Sequence, residues 1–274
     1  MPDLLLYFST LACWLALSGM AWRASRPALA GAGAASEMRL EIVVVPVALV
    51  LHAMLLYRRV VVPDGLDLGV ANAISMLAWL TILIYWLASL AYPGLATILG
   101  LTSPLGLVAV VLQIVIPTKH VVTYGSDPLF TLHFAIAMLA YSLFIVAAVH
   151  AVVMLAEEKW LHRGVLPPFL RAIPPLMEME ALLFRIILAA FVLLTLTLVS
   201  GVFFSERLFG KPFTFSDKTV FGIVSWVIFG SLLVGHYARG WRGRKAVRWT
   251  LAGFTALAIA YVGSKVVLEL VLAR

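Results

Sequence analysis

Cysteine is nearly absent from this 274-residue chain: Cys13 stands alone, inside the first apolar stretch. A single cysteine excludes an internal disulfide and every paired-cysteine motif, and its ordinary role there is that of a small buried hydrophobe. Charge is also scarce, at 12% of residues. No run of Asp and Glu lies within the apolar stretches, so the chain lacks the buried carboxylates of an ion-coupled transporter. No HxxxH or HExxH spacing occurs, and no carboxylate lies within about a turn of the histidines in those stretches, which excludes the usual zinc patterns. A serine–histidine–acid set, a phosphate-cradling glycine loop, an internal repeat and a low-complexity linker are likewise missing.

What remains is apolar. Hydrophobic residues make up 63% and the mean hydropathy is +1.06, against about half in soluble domains. This is an integral membrane protein with no room for a large soluble domain. The net charge of +7 sits in short loops, where it fixes orientation, so nucleic-acid binding is not implied. Spans need about 20 apolar residues, and eight are expected: 4–22, 42–57, 70–91, 95–116, 129–156, 183–204, 219–238 and 247–272. The second is short. The runs are continuous rather than alternating, so they are helices and not barrel strands. The expected fold class is all-α: a polytopic membrane protein in which residues 1–274 form a single domain, one bundle of eight transmembrane helices.

The odd loops carry eleven basic residues (Arg23, Arg26, Arg39, Lys159, Arg163, Arg171, Arg239, Arg242, Arg244, Lys245, Arg248). The even loops carry six (Arg58, Arg59, Lys119, Arg207, Lys211, Lys218). This bias places the odd loops in the cytoplasm and both termini outside. The N-terminus lacks a basic leader and reads as a retained first span. Residues 157–182, with Trp160 and two Pro-Pro pairs, are expected along the inner interface. Residues 205–217, with Phe209, Phe213 and Phe215, are expected to fold back on the outer side. Asn72, Ser75, Gln113, Thr195, Thr197 and Ser200 suit helix–helix hydrogen bonds. Lys265 and Glu269 share a face of the last span.

Histidines are the conspicuous polar residues of the spans. By depth, His52, His120 and His133 form an outer group, and His150 and His236 an inner one. His133 and His150 are about 25 Å apart along one helix and cannot share a metal. Each also has a plain reading: His150 as a packing residue, His120 and His162 as solvated loop residues. Axial imidazoles from separate helices around an apolar macrocycle in a lipid-embedded cleft make haem a better fit than zinc.

Three stretches resemble the cytochrome c assembly family (CcsA/HemX-like): LHFAIAMLAYSLF (132–144), PPLMEMEALLFRIILAAFVLLTLTLVSG (174–201) and VSWVIFGSLLVGHYARGWRGRKAVRWTLAGF (224–254). They define a family-like core of about 130–272. The span count and short loops look most like the HemX and YpjD branches. The resemblance implies haem handling, with His133 at a family histidine that opens a span at the outer surface and His236 at the family's membrane histidine. The synthase-type members carry a tryptophan-rich outer loop and a histidine after the last span. Loop 205–217 has no tryptophan and the chain ends LELVLAR, which argues against synthase activity. No CxxCH is present, so the chain is not itself a c-type cytochrome.

The expectation is therefore a haem-binding protein of the bacterial inner membrane, with His133 and His236 as axial ligands of haem iron, His52 third, and no catalytic residue. The alternative is a non-catalytic, HemX-like accessory that binds a partner protein through the basic loop 239–248. The expected partners are membrane lipid, haem and cytochrome c assembly or other membrane proteins.

Overall fold

The computed structural model describes residues 2–24, 34–116, 120–122, 127–164, 167–209 and 217–259. The chain is all-α but for short extended pieces. In order its helices are α1 (Pro2–Ala24), α2 (Ala34–Val60), α3 (Val70–Ala91), α4 (Ala96–Val115), α5 (Pro128–Leu161), the single turn α6 (Pro168–Arg171), α7 (Leu176–Phe209), α8 (Asp217–Arg239) and α9 (Gly243–Ala258). Six of them, α1, α3, α4, α5, α7 and α8, are long and apolar enough to cross a membrane. They coincide with six of the eight expected spans. The second expected span lies within α2, where Glu37, Arg39, Glu41, Arg58 and Arg59 flank an apolar run short of a full crossing. The eighth begins in α9 and runs on past residue 259, outside the described residues, as do Lys265, Glu269, Phe213 and Phe215.

By backbone contacts the chain divides into two compact units: residues 1–121 with 157–175, and residues 122–156 with 176–274. In the first, α1 to α4 enclose Trp14, Leu55, Ile82, Tyr85, Ile98 and Leu99. Gly106 of α4 lies under the Trp14 indole, where a Cβ would sit 2.7 Å from ring carbons. The α3–α4 turn is equally tight: a Cβ on Gly94 would meet the Pro174 ring at 2.8 Å. The segment expected at the interface thus rests on this turn through Pro174, with Leu170 and Ile173 buried. After α2 a hairpin pairs β1 (Val61–Val62) with β2 (Gly65–Asp67) antiparallel, Val61 opposite Leu66. The buried Asp67 carboxylate accepts the N–H groups of Gly69 (3.1 Å) and His120 (2.9 Å).

In the second unit α5 and α7 each run 34 residues, about 50 Å at 1.5 Å per residue, and so exceed an apolar membrane core of about 30 Å. Asp127 caps α5, its Oδ1 accepting the Leu129 N–H at 2.7 Å. One face of α7 (Met179, Leu183, Ile187, Ala190, Leu194) is buried at helical spacing. Phe144 of α5 stacks on Phe229 of α8 at 4.1 Å, and a Cβ on Gly253 of α9 would meet that same Phe229 ring at 2.8 Å. α8 stops at Gly240, whose φ of +66° ends the helix as its N–H bonds the His236 carbonyl at 3.0 Å.

Candidate functional site

Five of the six polar span residues bond across helices. Gln113 Nε2 donates to Asn72 Oδ1 (2.9 Å), Thr195 Oγ1 accepts from Trp226 Nε1 (2.9 Å), Ser75 Oγ meets His52 Nε2 (2.8 Å) and Ser200 Oγ meets His133 Nδ1 (2.7 Å). Thr197 bonds within its own helix, to the Leu193 carbonyl. Two of these bonds fix a histidine.

His133 stands just over a turn into α5, positioned by the Asp127 cap, and is half-buried. Ser200 Oγ also lies 3.1 Å from the Thr197 carbonyl; with its proton on that carbonyl, the hydroxyl accepts from Nδ1–H and the imidazole lone pair falls on Nε2. Gly201 lies against the ring, a Cβ there coming 3.6 Å from His133 Cε1.

His236, in the last turn of α8, bonds through the same nitrogen to a different partner. Its Nδ1 donates to the Trp241 carbonyl at 2.9 Å. A carbonyl only accepts, so again the lone pair lies on Nε2. The ring stacks on Phe184 of α7 at 3.5 Å and meets Tyr237 edge-on at 5.0 Å. Trp241 is itself anchored. It folds back beneath Gly235, where any Cβ would collide with the indole, and its N–H bonds the Gly235 carbonyl at 3.1 Å. Lys245 Nζ lies 3.5 Å above the indole and Trp249 5.2 Å beside it. Glu180 closes the turn, accepting the Gly243 N–H at 3.0 Å and pairing with the exposed Arg242 at 3.7 Å.

Both histidines lean on α7, His133 at Ser200 and His236 at Phe184. Those positions are 16 residues apart, about 24 Å along the helix. The two imidazoles therefore belong to separate places and cannot meet on one ion. This separation matches the expectation of two sites rather than one.

His52 is fully buried in the first unit, its ring edge-on to Trp14 at 6.0 Å. Nε2 is engaged by Ser75, while Nδ1 has no partner among the described residues. His150 is fully buried and bonded to the Val146 carbonyl one turn back, as a packing residue would be. His120 is exposed, its backbone fixed by Asp67 and by the Leu68 N–H at 2.9 Å. His162 is exposed and bonds the Glu158 carbonyl at 2.7 Å. Among the described residues no three His, Cys, Asp or Glu side chains gather as a metal cage.

The sequence matches the Cytochrome C assembly protein family over residues 41–272. The chain belongs to that family. The match extends well upstream of the stretches in which the resemblance is plain to the eye. An inner membrane protein of Escherichia coli K12, YpjD, is 31% identical over 236 residues, 85% of this chain and 88% of the relative. The cytochrome c biogenesis protein CcsA of Prochlorococcus marinus MIT 9515 is 33% identical over 86 residues, 31% of this chain and 28% of that protein. A 28.8 kDa protein of Azospirillum brasilense is 30% identical over 141 residues, 52% of each chain. No solved structure matches.

The family is associated with haem handling, and the donor chemistry fits that group. A metal-binding imidazole needs one lone pair outward and its other N–H satisfied by a second partner, which fixes orientation and raises basicity. His133 and His236 both meet the second condition. The signals that sequence reading missed are the acceptors. A backbone carbonyl such as that of Trp241 leaves no trace in a sequence, and Ser200 lies 67 residues from His133.

Proposed function

We propose that this chain is a haem-binding, haem-handling protein of the bacterial inner membrane, related to the factors that deliver haem in cytochrome c assembly. In this reading eight helices cross the membrane, both termini lie outside, and His133 and His236 would each hold haem iron through Nε2 at its own site. His52 is the third candidate. The observation that supports the reading is that each Nδ1 has an oxygen partner, Ser200 Oγ and the Trp241 carbonyl, an arrangement that orients the ring and suits Nε2 to the iron. A bound haem would supply the apolar macrocycle and the iron that accepts these nitrogens. The chain's own residues do the rest: Ser200 and Trp241 hold the tautomers, Phe184 fixes the plane of His236, and the surrounding apolar side chains exclude water. No residue is assigned covalent chemistry.

The test is the visible spectrum of the purified protein, as isolated and after haem addition. We expect a Soret band, reduced in His133→Ala and in His236→Ala and lost in the double variant. A protein that stays colourless and takes up no haem would sink the proposal. It would favour the second reading, a HemX-like non-catalytic accessory. The observation behind that reading is the basic turn 239–248, held rigid by Glu180 and Trp241 as a docking surface for a partner protein.

A further inference from the structure

We propose that the groove between α7, α8 and α9 binds an acidic phospholipid. It encloses about 960 Å³ and is lined almost wholly by apolar side chains. Its floor is α8, including Gly230 and Gly235, and its walls include Phe191, Trp226, Trp241 and Trp249. Along α8 it runs from Trp226 to Arg239, 13 residues or about 20 Å. One leaflet's share of the hydrocarbon is about 15 Å, so a single acyl chain with its glycerol spans this length.

The ends differ in chemistry. At the Trp226 end the indole N–H is already satisfied by Thr195. At the other end stands Arg239, exposed and lining the groove, beside Trp241. Arg239 opens a turn that also carries Arg242, Arg244, Lys245 and Arg248. Arg242 faces Glu180 and Lys245 covers the Trp241 ring, and of the basic residues in this turn it is Arg239 that lines the groove, at its mouth. An apolar trough that ends in a guanidinium at the membrane surface complements an acyl chain that ends in a phosphate. A headgroup with no compensating cation of its own gains most from it. The inference does not depend on haem binding.

The test is native mass spectrometry of the delipidated full-length protein, titrated with phosphatidylglycerol or with phosphatidylcholine of the same acyl chains. One basic residue near an anionic surface is worth about fivefold in affinity, so phosphatidylglycerol should bind at least about fivefold more tightly. Arg239→Gln should bring the two lipids within about twofold, whereas Lys159→Gln, outside the groove, should leave the preference intact. Val234 is exposed and lines the groove, so Val234→Trp can fill it without disturbing the core and should abolish both bound species. Equal binding of the two lipids, or a preference that survives Arg239→Gln, overturns the proposal. So does lipid that still binds the Val234→Trp variant as it binds the wild type.

Discussion

Gly235→Ala is the smallest change that reaches His236 without touching it. The new methyl would fall inside the Trp241 indole. The indole cannot easily yield, because Lys245 lies over it at 3.5 Å and Trp249 beside it at 5.2 Å. Overpacking of this kind costs about 1–3 kcal/mol. Displacing Trp241 also pulls its carbonyl from His236 Nδ1, a hydrogen bond worth about 0.5–1.5 kcal/mol. Alanine's better helix propensity returns about 1 kcal/mol. The net loss is about 1–3 kcal/mol, roughly 3–10 °C in melting temperature for a chain of this size. Haem affinity at His236 should fall about 10- to 100-fold, the usual effect of losing the partner that orients a ligating imidazole. Thermal unfolding in detergent reads the first quantity and a haem titration in the His133→Ala background the second. Because the acceptor is a backbone carbonyl, it persists when the indole is removed. Gly235→Ala combined with Trp241→Leu should therefore recover most of both losses. A Gly235→Ala protein that melts like the wild type refutes the packing argument. One that melts lower but binds haem unchanged refutes the link to His236.

Ser200→Ala should lower stability by about 1 kcal/mol and weaken haem binding about 10-fold or more in a His236→Ala background, while Ser200→Thr, which keeps the hydroxyl, should restore both; titration followed at the Soret band decides. Glu180→Ala should cost about 1–2 kcal/mol in thermal unfolding because it strands the Gly243 N–H. By contrast Arg242→Ala, which removes the exposed half of the same ion pair, should cost under about 0.5 kcal/mol. In the first unit Gly106→Val drives two methyls into the Trp14 indole and should lower stability by about 1–3 kcal/mol, with Gly106→Val, Trp14→Leu partly rescued. An epitope at either terminus should be reached by antibody in spheroplasts without lysis; labelling only after lysis would reverse the orientation argued from basic loops.

Sequence alone sufficed for the all-α membrane class, because the length and apolarity of a span are local properties. Six spans appear where hydropathy places them, with α7 starting at Leu176 rather than 183, since Glu178 and Glu180 hide its first turns from a hydropathy reading. The histidines were also legible as the polar exceptions of the spans, and that several of them stand too far apart to share one ion followed from residue counting at 1.5 Å per residue. Their chemistry was not. Whether an imidazole offers a lone pair depends on what its other nitrogen meets. For His133 that is Ser200 on another helix, and for His236 a carbonyl exposed only because Gly240 ends α8 and Gly235 leaves room for Trp241 to fold back. Local composition decided that this chain belongs in a membrane. Only packing between distant segments could set the protonated nitrogen of each histidine, because hydrogen-bond partners are fixed by the fold and not by neighbours in sequence.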